Sequence, residues 1–265
     1  RRRTRGDLTG SLTRRIDDEA IAHRLMGSWE PTPDFYTALL SPDTEDADVS
    51  RPYPFFLAYP LETEPAALGD VAEWQAEWKW DGIRAQLIRR QGETFLWTRG
   101  EELVTDRYPE VVAAATALPD GSVLDGELLP WGDDGVMPFA QLQRRIGRKT
   151  LGKKMLQEVP VILLTYDLLE WQDEDWRSRP LAERRARLET LISNLRSPDL
   201  KISSIVSAQS WAELADARAT SHDRSVEGLM LKRRNSPYQV GRKRGDWWKW
   251  KIEPYTIDAV MIYAQ

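Results

Sequence analysis

Two apolar runs in this chain are interrupted by acid. Leu124-Asp125-Gly126-Glu127-Leu128-Leu129 and Val226-Glu227-Gly228-Leu229-Met230-Leu231-Lys232 have the length and composition of buried strands, yet each carries carboxylates. A carboxylate in an apolar strand is costly to bury unless a cation or a metal ion meets it. The fold must therefore supply partners. Either the two strands share a divalent-cation site, or Glu127 and Glu227 pair with nearby arginines.

The rest of the pattern places these strands in an α+β fold. Glu73 to Trp80 and Ile83 to Arg90 read as strands joined by a hairpin turn at Asp81-Gly82, with Thr94 to Thr98 as a third strand. Val161 to Leu169, Val226 to Arg233 and Trp247 to Ile252 are further strands, and Tyr255 to Tyr263 follows as another. Helices are expected over Tyr108 to Leu118 and over Leu181 to Leu195, the latter charged and amphipathic. Strands and helices mix without regular βαβ alternation. Residues 1–50 look helical where legible, with helices at Asp17 to Leu25 and from Thr32-Pro33 to Leu40; Ser41 to Pro54 has the composition of a linker. The arginine-rich opening without methionine and the Thr9-Gly10-Ser11 step suggest a longer native sequence, joined there across missing residues.

Composition removes several chemistries. Zero cysteines among 265 residues exclude disulfides, thiolate zinc sites and thiol nucleophiles, and two histidines make a histidine metal site or triad improbable. No apolar run approaches a bilayer span and no secretory leader is legible, so a soluble, cytoplasmic protein without membrane partners is expected. The net charge of −5 hides a strong division. Residues 224–251 hold nine Lys/Arg against Glu227 and Asp246, whereas residues 28–73 hold ten acidic side chains against one arginine. Phosphate binding follows the local field, so a polyanionic partner remains compatible with net acidity.

The chemistry left belongs to Lys, Asp, Glu and Arg. Lys79 lies in Glu77-Trp78-Lys79-Trp80-Asp81-Gly82-Ile83-Arg84. A lysine amine attacks nothing until cations or desolvation lower its pKa. In Trp247-Trp248-Lys249-Trp250-Lys251 the alternation buries one strand face and points Lys249 and Lys251 at a common surface, a possible source of that field. Taken singly, Arg84 reads equally as a surface arginine, Tyr166 as a core tyrosine, and the two lysines as edge-strand residues.

Taken in order, these segments resemble the motif set of ATP-dependent DNA ligases. The series runs through Glu77-x-Lys79-x-Asp81-Gly82-x-Arg84, Trp97-Thr98-Arg99-Gly100-Glu101, Asp125-Gly126-Glu127, Tyr166-Asp167, Glu227-Gly228-x-Met230-x-Lys232 and Trp248-Lys249-x-Lys251. The resemblance implies an adenylation (nucleotidyltransferase) domain of antiparallel sheets flanked by helices over residues 51–254. A partial helical DNA-binding domain would precede it over residues 1–50, where Ala22-His23-Arg24-Leu25-Met26-Gly27 is similar to that domain. An OB-fold domain would begin at residues 255–265 and otherwise be absent. It implies that Lys79 attacks the α-phosphate of ATP to form lysyl-AMP, and that nicks in duplex DNA are then sealed through a DNA-adenylate.

Glu77 would read the adenine edge, Tyr166 would stack on the ring, and Arg84 and Arg99 would hold ribose or the 5′ phosphate. Glu127 would lie near ribose and metal, with Glu227 a metal carboxylate. Lys249 and Lys251 would engage the α-phosphate and favour neutral Lys79, while Lys232 completes the nucleotide-binding set. Mg²⁺, with Mn²⁺ as a substitute, is the implied metal, and a monomer serving DNA replication, repair or recombination is implied. Gly100 departs from the asparagine frequent at that position, and Arg242, Lys243 and Arg244 all qualify as the cation preceding the Trp-Lys strand. An RNA ligase or GTP-using capping enzyme shares the lysine motif, and a non-catalytic nucleic-acid-binding module is the alternative from another class. NAD⁺ use is disfavoured, because those ligases carry a four-cysteine zinc site.

Overall fold

A computed structural model describes residues 18–27, 29–41, 48–146, 148 and 151–253. In chain order the first elements are helices α1 (Asp18–Arg24) and α2 (Pro33–Leu40) and strands β1 (Phe56–Leu57), β2 (Tyr59–Pro60), β3 (Trp74–Trp80), β4 (Ile83–Arg90) and β5 (Glu93–Thr98). Then come α3 (Pro109–Ala115), β6 (Ser122–Gly132), β7 (Gly135–Val136), α4 (Phe139–Gln143), α5 (Lys153–Glu158), β8 (Val161–Trp171) and β9 (Glu174–Asp175). The last are α6 (Leu181–Leu195), β10 (Leu200–Ile202), α7 (Trp211–Ala219), β11 (Val226–Arg233), β12 (Gly241–Arg242) and β13 (Trp247–Lys251). The fold is α+β. Among the described residues no helix is long and apolar enough to cross a membrane.

Two sheets carry the architecture. A seven-stranded sheet runs β10-β8-β6-β4-β5, with β7 added to β6 and β9 to β8, and a four-stranded sheet runs β2-β13-β11-β3. Most pairs are antiparallel; β10 on β8 and β2 on β13 are parallel. The strand period of two separates their faces. Leu87, Leu124, Leu128 and Leu163 of the larger sheet pack with Val111 of α3 and Leu188, Leu191 and Ile192 of α6. Ile88, Trp97 and Val123, from the other face, join Phe56 of β1 and Trp247 of β13 in a core between the sheets. Trp74, Leu229, Leu231 and Trp248, on the far face of the smaller sheet, pack against Leu214 of α7. Burying each such side chain contributes roughly 1.5–3 kcal/mol, so the two sheets are held at fixed separation from both sides.

The Asp81-Gly82 step is not a hairpin. β3 pairs with β11 and β4 pairs with β5 and β6, so the chain crosses there from one sheet to the other. The hairpin lies ten residues on, at Gln91-Gly92, where φ values of 50° and 76° match a two-residue turn between the paired Arg90 and Glu93. Gly82 answers a different need. A Cβ on it would lie 2.5 Å from the Leu128 carbonyl oxygen, so glycine permits the crossing strand to press against β6.

The segment before the sheets is also more ordered by packing than its composition suggested. Thr32 caps α2 by accepting from the Phe35 amide at 3.1 Å, and Arg24 of α1 donates to the carbonyls of Ala38, Leu39 and Ser41 at the other end of α2. His23 stacks on Tyr53 with ring centroids 4.8 Å apart. Arg51 to Pro54, expected as linker, are buried, and Gln86 binds both the amide and the carbonyl of Tyr53 at 2.8 Å. Residues 42–47 of that stretch, and the strand and following domain expected from Tyr255, lie outside the described residues.

Candidate active site

Between the two sheets lies a cleft of about 340 Å³ lined by side chains from both. Alternation along β3 gives it Glu77 and Lys79, and along β13 Trp247, Lys249 and Lys251. From the larger sheet come Arg84 of β4, Glu127 of β6 and Tyr166 of β8. All ten residues expected at the site, Lys79 included, line this one cavity; Arg99 and Glu227 reach it by routes other than regular strand alternation. Arg99 follows β5, at the junction of the cleft with a neighbouring groove. Glu227 sits on β11 at a bulge, where Val226 pairs with Trp80 but Leu229 with Trp78. Met230 and Lys232 face the cleft by alternation, so Glu227 would point away without the extra residue. Gly228 makes the bulge possible, with φ 128° and a virtual Cβ 2.3 Å from the Trp250 carbonyl oxygen.

The charges in the cleft divide into met and unmet. Glu227 Oε2 contacts the Lys79 ammonium and lies 2.9 Å from Lys251 Nζ. Burial pushes the Glu227 carboxyl up, but the two lysines outweigh it and hold it below the usual carboxylate range. Lys249 has no such partner among the described residues. Burial first, then repulsion from Arg242, Lys251, Lys79 and Arg99, depresses its pKa. Glu127 is raised to about 7, because burial outweighs the attraction of Lys79, Arg84 and Arg99. Lys79 thus contacts the carboxylate of Glu227, which the sequence reading placed in the same cleft as Lys249 and Lys251.

Deeper in the cleft the groups are committed. Arg84 donates to both oxygens of Asp125 at 3.1 and 2.7 Å, to the Phe56 carbonyl at 2.7 Å and to Tyr238 Oη at 3.2 Å, and so spends most of its donors on the protein. Tyr238 Oη in turn donates to Asp125 at 2.7 Å. Glu77 is buried and accepts at Oε1 from Gln75 Nε2 at 2.7 Å and Lys232 Nζ at 3.0 Å. Lys232 lies over the Tyr166 ring, 4.2 Å from its centroid. Of the three candidate cations before β13, Arg242 lines the cleft, while Arg244 lies over the Trp248 ring at 5.7 Å.

Sequence reasoning missed Gln75, Tyr238 and Arg185 as supports of this site. Arg185 lies in α6 beside Arg184, both on the stripe that also holds Leu181, Leu188, Leu191 and Ile192. Two arginines on the buried stripe of an amphipathic helix were the available signal.

Glu127 and Glu227 both line the cleft, and these carboxylates could hold a divalent cation. Among the described residues no cluster of three or more His, Asp or Glu side chains forms a cage. Mg²⁺ commonly takes one or two carboxylates and completes its shell with water and substrate phosphates, which two carboxylates in a cationic cleft allow. The cavity can thus hold a polyphosphate beside an amine, with carboxylates on both sides.

A family profile described as the ATP dependent DNA ligase domain matches residues 56–251. Among curated proteins, a probable DNA ligase of Koribacter versatilis is 32% identical over 242 residues, covering 81% of this chain and 41% of that protein. A DNA ligase of Haloferax volcanii is 36% identical over 221 residues, covering 82% of this chain and 37% of that protein. This chain thus spans about two fifths of the length of these relatives. Among solved structures, a mycobacterial DNA ligase D complexed with ATP and MES superposes with TM-score 0.59 at 31% identity, covering 75% of this chain and 60% of that one. The Chlorella virus DNA ligase-adenylate shares the fold at TM-score 0.55 and 19% identity, covering 75% of this chain and 68% of that one.

Proposed function

The chain belongs to the ATP-dependent DNA ligase domain family, and from that premise we propose that its cleft performs the nucleotidyl transfers of nick sealing in duplex DNA. The observation that carries the reading is the meeting of Lys79 with Glu227 and Lys251, beside Lys249, across the cleft from Glu127 and Tyr166. Lys79 Nζ attacks the α-phosphorus of ATP; an N–P bond forms, the bond to the bridging oxygen breaks, and pyrophosphate leaves. Glu227 Oε2, already in contact with Nζ, is positioned to take the proton that the amine sheds. The AMP group then passes to the 5′ phosphate of a nick, and attack by the 3′ hydroxyl releases AMP.

Lys249, which has no carboxylate partner among the described residues, and Lys251 stabilise the charge that gathers on the α-phosphate. Tyr166 and Glu77 receive the base, and Arg99, exposed at the cleft edge, meets the ribose or the 5′ phosphate. Arg84 serves by ordering Asp125 and Tyr238 under the nucleotide, and Lys232 by binding Glu77. A Mg²⁺ or Mn²⁺ ion held by Glu127 and Glu227 would neutralise phosphate charge during transfer.

Residues 51–254 form the adenylation domain in this reading. Residues 1–50 contribute to a helical DNA-binding domain, and residues from 255 open an OB-fold domain. The protein acts as a cytoplasmic monomer in DNA replication, repair or recombination.

Incubation with ATP and Mg²⁺ should give an acid-labile AMP adduct by intact mass that Lys79→Ala abolishes, at least a ~10³-fold loss of labelling. An AMP adduct absent from the wild type, or equally present on Lys79→Ala, would sink the reading. Ligation of nicked DNA against nicked RNA by the full-length protein tests the substrate.

A further inference from the structure

Glu77 is the most enclosed charge of the cleft, and its surroundings extend into a helix that takes no part in the phosphate chemistry. Oε1 is filled by Gln75 and Lys232. Oε2 forms no hydrogen bond among the described residues and lies 3.9 Å from Arg185 Nη1, with both side chains at most 5% exposed. Arg185 is itself immobilised. Its Nε donates to Glu189 Oε1 at 2.7 Å and its Nη2 to the Ser203 carbonyl. The chain beyond Ser203 runs along β3, with the Val206 amide donating to the Ala76 carbonyl at 2.8 Å and Ile205 bridging to Glu77. At this meeting point Arg185 Nη1 and Ser203 Oγ are buried without a hydrogen-bond partner among the described residues.

We propose that Arg185, assisted by Gln75, is a specificity-determining positioning residue that holds the Glu77 carboxylate as an oriented hydrogen-bond acceptor, so that the cleft takes a 6-amino purine and rejects a 6-oxo purine. The inference rests on the nucleotide-binding reading given above. Gln75 Nε2 and Lys232 Nζ donate to Oε1 and fix the rotation of the carboxylate. The donor-only guanidinium of Arg185, 3.9 Å from Oε2, holds the other end in place. The lone pairs of Oε2 are thereby presented in one orientation. The exocyclic amine of adenine donates to such an oxygen, whereas the O6 of guanine sets lone pair against lone pair. Tyr166, under Lys232 and across the same cleft, supplies the ring face against which a base is held next to Glu77.

The test is nucleotide discrimination, read as the ratio of ATP to GTP affinity by calorimetry and of covalent labelling with each nucleotide. The wild-type chain should prefer ATP. Arg185→Met should lower both ratios about tenfold or more, and Arg185→Lys, which keeps a cation, should recover most of the loss. A ratio unchanged in Arg185→Met, with only a lower melting temperature, assigns the residue to packing and overturns the inference. If Arg185→Met fails to fold, Gln75→Met carries the test, with a reduced ratio expected and an unchanged one overturning the inference. A wild type that holds both nucleotides equally overturns the inference alone, while one that holds neither overturns the ligase reading with it.

Discussion

Arg184 and Asp167 meet under the seven-stranded sheet with no exposure at either side chain, whereas Lys79, Glu227 and Lys251 meet at the cleft with 21%, 33% and 49% of their side chains open. The first pair is also closed in the hydrogen-bond sense. Arg184 reaches both Asp167 oxygens at 2.7 and 2.9 Å and donates further to the carbonyls of Arg179 and Ser236, joining α6 to β8 and to the loop after β11. The cleft cluster has capacity left over, and Lys249 has no carboxylate partner among the described residues. Saturated charges fix the architecture, while unsaturated ones can trade their partners for phosphate.

That contrast is open to four measurements. The largest stability effect belongs to the closed pair: Asp167→Ala leaves a buried guanidinium unpaired and should cost about 3–5 kcal/mol in chemical denaturation. The double change Asp167→Leu with Arg184→Met should recover much of it. At the cleft the same kind of deletion should act on binding. Lys249→Ala should weaken ATP about 10- to 100-fold by calorimetry while leaving the melting temperature nearly unchanged, since it relieves repulsion from four neighbouring cations. A large loss of stability there would erase the distinction drawn between the two regions.

Tyr238→Phe probes the border between them, removing the hydroxyl that donates to Asp125, and should cost about 1–2 kcal/mol. The smallest effect is a slope. Glu127 titrates at about 7 in the folded protein against 4.5 as its ordinary value, so between these pH values the native state holds a proton that the unfolded chain has released. Stability without nucleotide should therefore fall as pH rises through that window, and Glu127→Gln should flatten the curve. An unchanged slope would mean that Glu127 does not carry the proton.

Much of this was readable from residues whose neighbours are local. α6 spans Leu181–Leu195 and β11 spans Val226–Arg233, as their periodicity predicts. The alternation of β13 foretold that Lys249 and Lys251 share a surface. Reading failed where pairing is non-local. Asp81-Gly82 carries a turn signature, but β3 finds its partner about 150 residues later, in β11. α7 has a weak apolar pattern, with Leu214 its one buried residue, and went unnoticed. The support around Glu77 was hidden for the same reason. Arg185 meets it only because α6 packs on β8 and the chain after β10 runs back to β3.

Strand β13 sets Trp248 and Trp250 toward α7 and Lys249 and Lys251 toward the cleft, so one backbone frame serves two masters. A slip of a single residue in its pairing would send both ammonium groups into an aromatic layer and both indoles out among the cations. Such a molecule would lose its hydrophobic support together with its chemistry. Support and chemistry therefore fail together, so a change in the pairing of this strand that spoils the site should also cost stability.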